Sequence, residues 1–122
     1  MAQTLEQLRA ADAWKAAQGR KAEYKRLAKG LPALIMGSGL LQTLAFLHEK
    51  GGDTQRPHAA LGGQLRTWLK QRYPKDIHGD SFEAFTESLL KAQPMAYQQI
   101  TAEALAWLRW VRQMAAAAIT EE

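Results

Sequence analysis

The sequence predicts an all-α fold, a compact bundle of five to seven helices, and three observations carry that expectation. Apolar residues recur at three- and four-residue steps along most of the chain, while no stretch shows the strict alternation of a half-buried strand. Helix starts and stops are legible in proline, glycine and capping residues. The 122 residues, with no internal repeat, have the length of one domain that can bury a core without staples.

The first helix is expected over residues 4 to 18, rich in Ala, Leu, Gln and Glu, with Thr4 and Gln7 spaced as a capping box. Leu5, Leu8 and Trp14 do not share one stripe, so this helix should pack through its alanines and end at Gly19. A second helix begins near Arg20. It places Tyr24, Leu27, Ala28 and Leu31 on one side and a stripe of Lys21, Lys25 and Lys29 on another, with Arg26 beside it. Pro32 should end that helix, kink it, or open a new turn. Gly37, Ser38 and Gly39 mark a break, with Ser38 expected as the N-cap of a third helix from Gly39 to about Lys50.

That third helix is apolar nearly all round, through Leu40, Leu41, Leu44, Phe46 and Leu47, which suits the centre of a core or a subunit interface. Residues 51 to 56 read as a polar loop, and Pro57 suits the first position of a fourth helix up to Tyr73. On it Leu61, Leu65, Trp68 and Leu69 share a face opposite Arg66 and Lys70. Asp80 and Glu83 resemble a capping box for a short helix carrying Phe82, Phe85 and Leu89. Pro94 opens the last helix, where Tyr97, Ile100, Ala104, Trp107, Val111, Met114 and Ala118 form a regular seam and Arg109 and Arg112 point away from it.

Charge is distributed unevenly around a net +4. Lys15, Arg20, Lys21, Lys25, Arg26 and Lys29 face only Glu23 in their segment, and Lys50, Arg56, Arg66, Lys70, Arg72 and Lys75 face only Asp53. Directly behind the first basic run, Gly30 to Leu47 carries no formal charge. Such a stretch raises the question of a membrane span, but Pro32, Gly37, Ser38, Gly39, Gln42 and Thr43 would leave polar groups unsatisfied in lipid, so a buried helical pair is expected. Without cysteine there is no disulfide scaffold or thiolate metal site, and without a signal-like start a cytoplasmic protein with no membrane association is expected.

Enzyme chemistry finds little support. His48, His58 and His78 lack metal-ligand spacing, Gly37-Ser38-Gly39 lacks the spacing of a nucleophile elbow, and the glycines from Gly30 to Gly39 lack a phosphate-loop Gly-Lys-Ser/Thr. Paired carboxylates at Asp76 and Asp80, or Glu83 and Glu87, suit a solvated face. No catalytic residue, metal, cofactor or small-molecule substrate is therefore expected. The lysine stripe extends about 12 Å along its helix and suits a phosphate backbone followed without base reading; it also suits plain solubilisation of an outer face. Trp68 and Trp107 fall on core stripes, while Trp110, between seam and arginines, suits subunit packing better than base stacking.

The string E-Y-K-R-L-A-K-G-L-P-A-L-I-M-G-S-G-L-L-Q-T-L-A-F-L, Glu23 to Leu47, resembles the signature region of the small subunit of type III-B CRISPR effector complexes, the Cmr complex. I-T-A-E-A-L-A-W-L-R-W-V-R, Ile100 to Arg112, is similar to that family's last helix. The resemblance implies a non-catalytic subunit that stacks with copies of itself beside backbone subunits and flanks the groove where guide (CRISPR) RNA pairs with target RNA. In that family the backbone subunits cut the target and the large subunit supplies signalling chemistry. Lys25, Arg26 and Lys29 are the basic positions within the matching string. Charge placement extends the expected RNA-binding surface to Arg20, Lys21, Arg109 and Arg112, and Leu40, Leu41, Phe46 and Trp110 are the expected subunit contacts. The alternative is a helical protein-protein adaptor with no direct RNA contact.

Overall fold

The computed structural model describes residues 2–52 and 56–120, and these form six helices with no strand among them. They are α1 (Leu5–Ala17), α2 (Ala22–Ser38), α3 (Leu40–Gly51), α4 (Pro57–Arg72), α5 (Phe82–Lys91) and α6 (Pro94–Ala118). α1 starts as expected: the Thr4 hydroxyl accepts from the Gln7 N–H at 3.1 Å, and the Gln7 side chain accepts from the Thr4 N–H at 2.8 Å. Its buried residues are Ala13, Ala16 and Ala17, which let the helix approach its neighbours closely.

Three boundaries differ from the sequence expectation. α2 continues through Pro32 rather than ending there, and Pro32 is itself buried with Leu31 and Ile35. The proline lacks the N–H that would bond the Ala28 carbonyl, yet burial of Tyr24, Ala28, Leu31 and Ile35 on the same face holds the segment helical. Ser38 is not an N-cap; it is the last residue of α2, and Gly39 serves both helices. The Gly39 N–H donates to the Ile35 carbonyl at 2.7 Å, closing α2, while its own carbonyl accepts from the Thr43 N–H at 3.2 Å and hydroxyl at 2.8 Å, opening α3. This reversal needs φ = 85° and ψ = 168°, a conformation reserved for glycine. Finally, α5 is capped by Ser81, whose hydroxyl accepts from the Ala84 N–H at 3.1 Å, rather than by Asp80. The polar loop expected over 51 to 56 lies largely at 53–55, outside the described residues, while Gly51 itself closes α3.

α6 is the axis of the bundle and packs most extensively against α1 and α2. Arg9 meets Glu103 and Asp12 meets Trp107, so α1 runs parallel to α6. Lys25 near the start of α2 meets Ile119 at the end of α6, and Leu41, just past the α2–α3 junction, meets Tyr97 near its start, so α2 runs antiparallel to α6. α3 and α4 pair antiparallel so closely that a Cβ on Gly51 would sit 3.0 Å from the Ala59 backbone. Trp107 is fully buried and its ring lies near-parallel to that of Trp68, with centroids 6.5 Å apart. Both indoles donate to carboxylates, Trp68 to Glu103 at 3.0 Å and Trp107 to Asp12 at 2.8 Å. No helix among the described residues is long and apolar enough to cross a membrane.

Candidate nucleic-acid interface

The groove between α2 and α6 is where basic residues distant in sequence converge. Within α2 the only acidic residue is Glu23, and within α6 the only one is Glu103, which is 5% exposed and turned inward. The antiparallel register, pinned by the Lys25–Ile119 and Leu41–Tyr97 contacts, brings Lys29 to the level of Arg112. At about 100° per residue, Lys25 and Lys29 lie on the flank of α2 that faces α6, and Arg112 lies on the flank of α6 that faces α2, with Arg109 just outside it. Lys29, Arg109 and Arg112 are exposed.

Lys25 has a second task. Its ammonium donates to the Ile119 carbonyl at 3.2 Å, where the last carbonyls of α6 lack helical partners. The positive charge also complements the negative end of the helix dipole. Lys21 is exposed at the N-cap of α2, where no side chain caps the helix, and Arg26 is exposed about 100° round from Lys25. Along the same stripe, about 10 Å beyond Lys29, Met36 is 70% exposed, so the groove turns from basic to apolar toward the α2–α3 junction.

Arg20, Lys21 and Arg26 line one pocket at the start of α2. Arg20 is also held locally: its Nε donates to the Ala16 carbonyl at 3.4 Å, and its guanidinium lies 5.6 Å from the centre of the Tyr24 ring. It lines an open cleft of about 650 Å³ between α1 and α4, together with Lys15, Arg66, Asp12 and Asp80. Arg66 is tied down there, its Nε donating to the Asp80 carbonyl at 2.8 Å, and burial lowers its pKa. Tyr24 beneath is buried, donates to Gln64 at 2.6 Å, and has its phenol pKa pushed up by that burial.

Of the expected subunit contacts, Leu40 needs correction: it is fully buried in the chain's own core and has no surface to offer a neighbour. The first position of α3 points inward because Gly39 reverses the chain onto the bundle. Leu41 is half-buried, its N–H donating to the Tyr97 hydroxyl at 3.2 Å. Phe46 is half-buried and meets His58 edge to face, with centroids 5.6 Å apart. Trp110 is half-buried on α6, and Trp14, at 47% exposure on α1, is a surface aromatic that the sequence pattern did not single out.

The histidines are engaged separately, His48 stacked on Phe82 with centroids 4.0 Å apart, His58 against Phe46, and the His78 N–H donating to Ser88. Among the described residues no group of His, Asp and Glu is arranged to hold a metal. The pair of residues missed outright is Arg9 and Glu103. A signal for Glu103 existed, since it stands one helical step before Trp107 on the seam side of an otherwise uncharged half-helix.

Comparison with known proteins bears on what such a groove is for. A family model described as CRISPR-associated protein (Cas_Cmr5) matches residues 5–118. The CRISPR system Cmr subunit Cmr5 of Thermus thermophilus is 33% identical over 107 residues, which cover 87% of this chain and 84% of that protein. The X-ray crystal structure of a CRISPR-associated Cmr5 family protein, also from Thermus thermophilus, matches with a TM-score of 0.76 at 30% identity, covering 97% of this chain and 99% of that one.

Proposed function

The chain belongs to the Cas_Cmr5 family of CRISPR-associated proteins, and from that premise we propose that it is a non-catalytic structural subunit of a type III-B (Cmr) ribonucleoprotein, lining the groove that holds guide and target RNA in antiviral defence. One observation carries the reading. The register set by the Lys25–Ile119 contact puts exposed Lys29 of α2 at the level of exposed Arg112 of α6, with Lys25 and Arg109 beside them, and the only acidic residues of the two helices are Glu23 and the buried Glu103. A row of cations along two antiparallel helices suits a phosphate backbone followed without base recognition.

In this reading the subunit sits in the cytoplasm beside the backbone and large subunits, stacked with copies of itself. It performs no chemistry: no nucleophile, base or metal constellation is offered by the sequence. The test is RNA binding by the assembled complex at several salt concentrations, with Lys29→Glu and Arg112→Glu in this subunit. Weaker binding with a shallower salt dependence supports RNA contact; unchanged binding sinks it. A second reading, an adaptor without RNA contact, draws on the Lys25 bond to the Ile119 carbonyl, which shows one lysine of the stripe at work inside the fold.

A further inference from the structure

α1 and α2 each pack on both α6 and α4, so the cleft between α1 and α4 opens on the edge of the bundle opposite the α2–α6 groove. Three cations reach into it from three places: Lys15 on α1, Arg20 in the turn before α2, and Arg66 on α4. Arg20 and Arg66 approach the same turn of α4. The Ala16 carbonyl accepts from Arg20 Nε at 3.4 Å and from Gln64 Nε2 at 3.2 Å, which ties Arg20 to Gln64. Arg66 folds back along its own helix, where a Cβ on Gly62 would lie 3.5 Å from Nη1 and one on Gly63 would lie 3.9 Å from Nη2.

These cations are not neutralised by the protein. Arg66 is half-buried, yet its one hydrogen bond runs from Nε to the Asp80 carbonyl at 2.8 Å, and neither Nη group has an acceptor among the described residues. Burial lowers its pKa, and Asp80 and Glu83, neither close enough for an ion pair, offset that only in part. The Lys15 ammonium and the Arg20 Nη groups likewise have no hydrogen bond or ion pair among the described residues, although Asp12 and Asp80 line the same cleft. Those carboxylates are engaged elsewhere: Asp12 Oδ2 accepts the Trp107 indole N–H at 2.8 Å, and Asp80 Oδ2 accepts the Thr67 hydroxyl at 3.2 Å. A desolvated guanidinium without a counter-ion costs stability that an anion arriving from solution would restore.

We propose that this cleft binds a small phosphorylated molecule, with the Arg66 and Arg20 guanidiniums and the Lys15 ammonium gathered around its phosphoryl group. Phosphoryl oxygens point in several directions and suit cations arriving from separate elements. The cleft, about 650 Å³, has the size of small-ligand sites, about 300–1,000 Å³. A running RNA strand fits it worse, because Asp12 and Asp80 interrupt the cations and successive phosphates would meet carboxylates that a single phosphoryl group avoids. The inference does not depend on RNA contact at the α2–α6 groove.

The experiment is calorimetric titration of the full chain at low salt with adenosine monophosphate, inorganic phosphate and adenosine. The monophosphate should bind at one saturable site, inorganic phosphate should compete with it, and adenosine should not bind. Arg66→Gln should weaken binding by about tenfold or more. Because Arg66 also holds Asp80, Gly63→Glu is the second variant: it keeps the arginine, offers its guanidinium a carboxylate from the same helix, and should weaken binding equally with thermal stability retained. Absence of binding at millimolar ligand overturns the proposal, as does binding that survives both variants or adenosine that binds as tightly as its monophosphate. Displacement of the monophosphate by an RNA oligonucleotide without terminal phosphates, lost in Gly63→Glu, would give the cleft to RNA and overturn it too. Lys29→Glu should leave monophosphate binding unchanged, whatever it does to RNA binding; loss of monophosphate binding in that variant would move the ligand to the groove and overturn the assignment.

Discussion

Arg9 on α1 and Glu103 on α6 are joined fork to fork, Nε to Oε2 at 2.7 Å and Nη2 to Oε1 at 2.6 Å, and the same Oε2 accepts the Trp68 indole N–H at 3.0 Å. One carboxylate therefore ties three helices together. Removing the guanidinium leaves a buried anion with a single neutral donor. Arg9→Ala should cost about 3 kcal/mol, while Arg9→Leu with Glu103→Leu should cost less than Arg9→Ala alone, because the desolvation of an unpaired charge disappears with the charge. Urea melts of the two variants check the order.

Two helical glycines make opposite predictions. A Cβ at Gly51 would press on the Ala59 backbone, which cannot swing aside, so Gly51→Ala should destabilise by about 1–3 kcal/mol. At Gly30, inside α2, an added Cβ meets nothing within 4 Å. Gly30→Ala should stabilise by about 0.5–1 kcal/mol through helix propensity. Thermal denaturation of both in one buffer decides.

Lys25 and Lys29, one turn apart, should separate structure from recognition. Lys25→Met loses the cap on α6 and should lower stability by about 0.5–1 kcal/mol, whereas Lys29→Met should leave stability unchanged. In RNA binding by the complex, Lys29→Met and Arg112→Met should each reduce the slope of log affinity against log salt by about one. Arg20→Met, facing the other cleft, should leave that slope alone.

His58 gives a pH dependence with a definite sign. Burial, with Arg56 and Lys50 adding repulsion, lowers its pKa below 6.5, and its Nδ1 is buried without a hydrogen-bond partner among the described residues. Below pH 6.5 the unfolded chain takes up a proton that the folded chain resists, so this residue costs stability as pH falls from 6.5 toward the lowered pKa. Urea midpoints at pH 7.5 and 5.5 should differ more for the wild type than for His58→Gln, and an NMR titration of the His58 ring should have its midpoint below 6.5.

Much of the fold was legible because the signals were local. The Thr4–Gln7 box, the prolines at 57 and 94, and the α6 seam depend only on neighbours within a turn or two, and each is where the pattern puts it. α2 continues past Pro32 because burial of its apolar face outweighs one missing hydrogen bond, while the junction at Ser38 is made by Gly39, whose positive φ closes one helix and opens the next. The convergence of Lys29 with Arg112 depends on an antiparallel register that no local spacing encodes. Arg20 sits beside Lys21 in sequence and lines a pocket with it and Arg26, yet its guanidinium also reaches the Tyr24 ring and the cleft between α1 and α4, contacts that no local spacing encodes. The exposure of Trp14 follows from the alanine packing that the sequence pattern of α1 already indicates.

The parallel pairing of α1 with α6 also orders events in time. On a ribosome the alanine face of α1 and the flank of α2 emerge long before the helix that covers them, so neither can be consolidated while synthesis is under way. Until Glu103 and Trp107 clear the exit tunnel, Arg9 and Asp12 lack the partners they have in the fold. The core around α6 therefore closes late, once the two ends of the chain can meet.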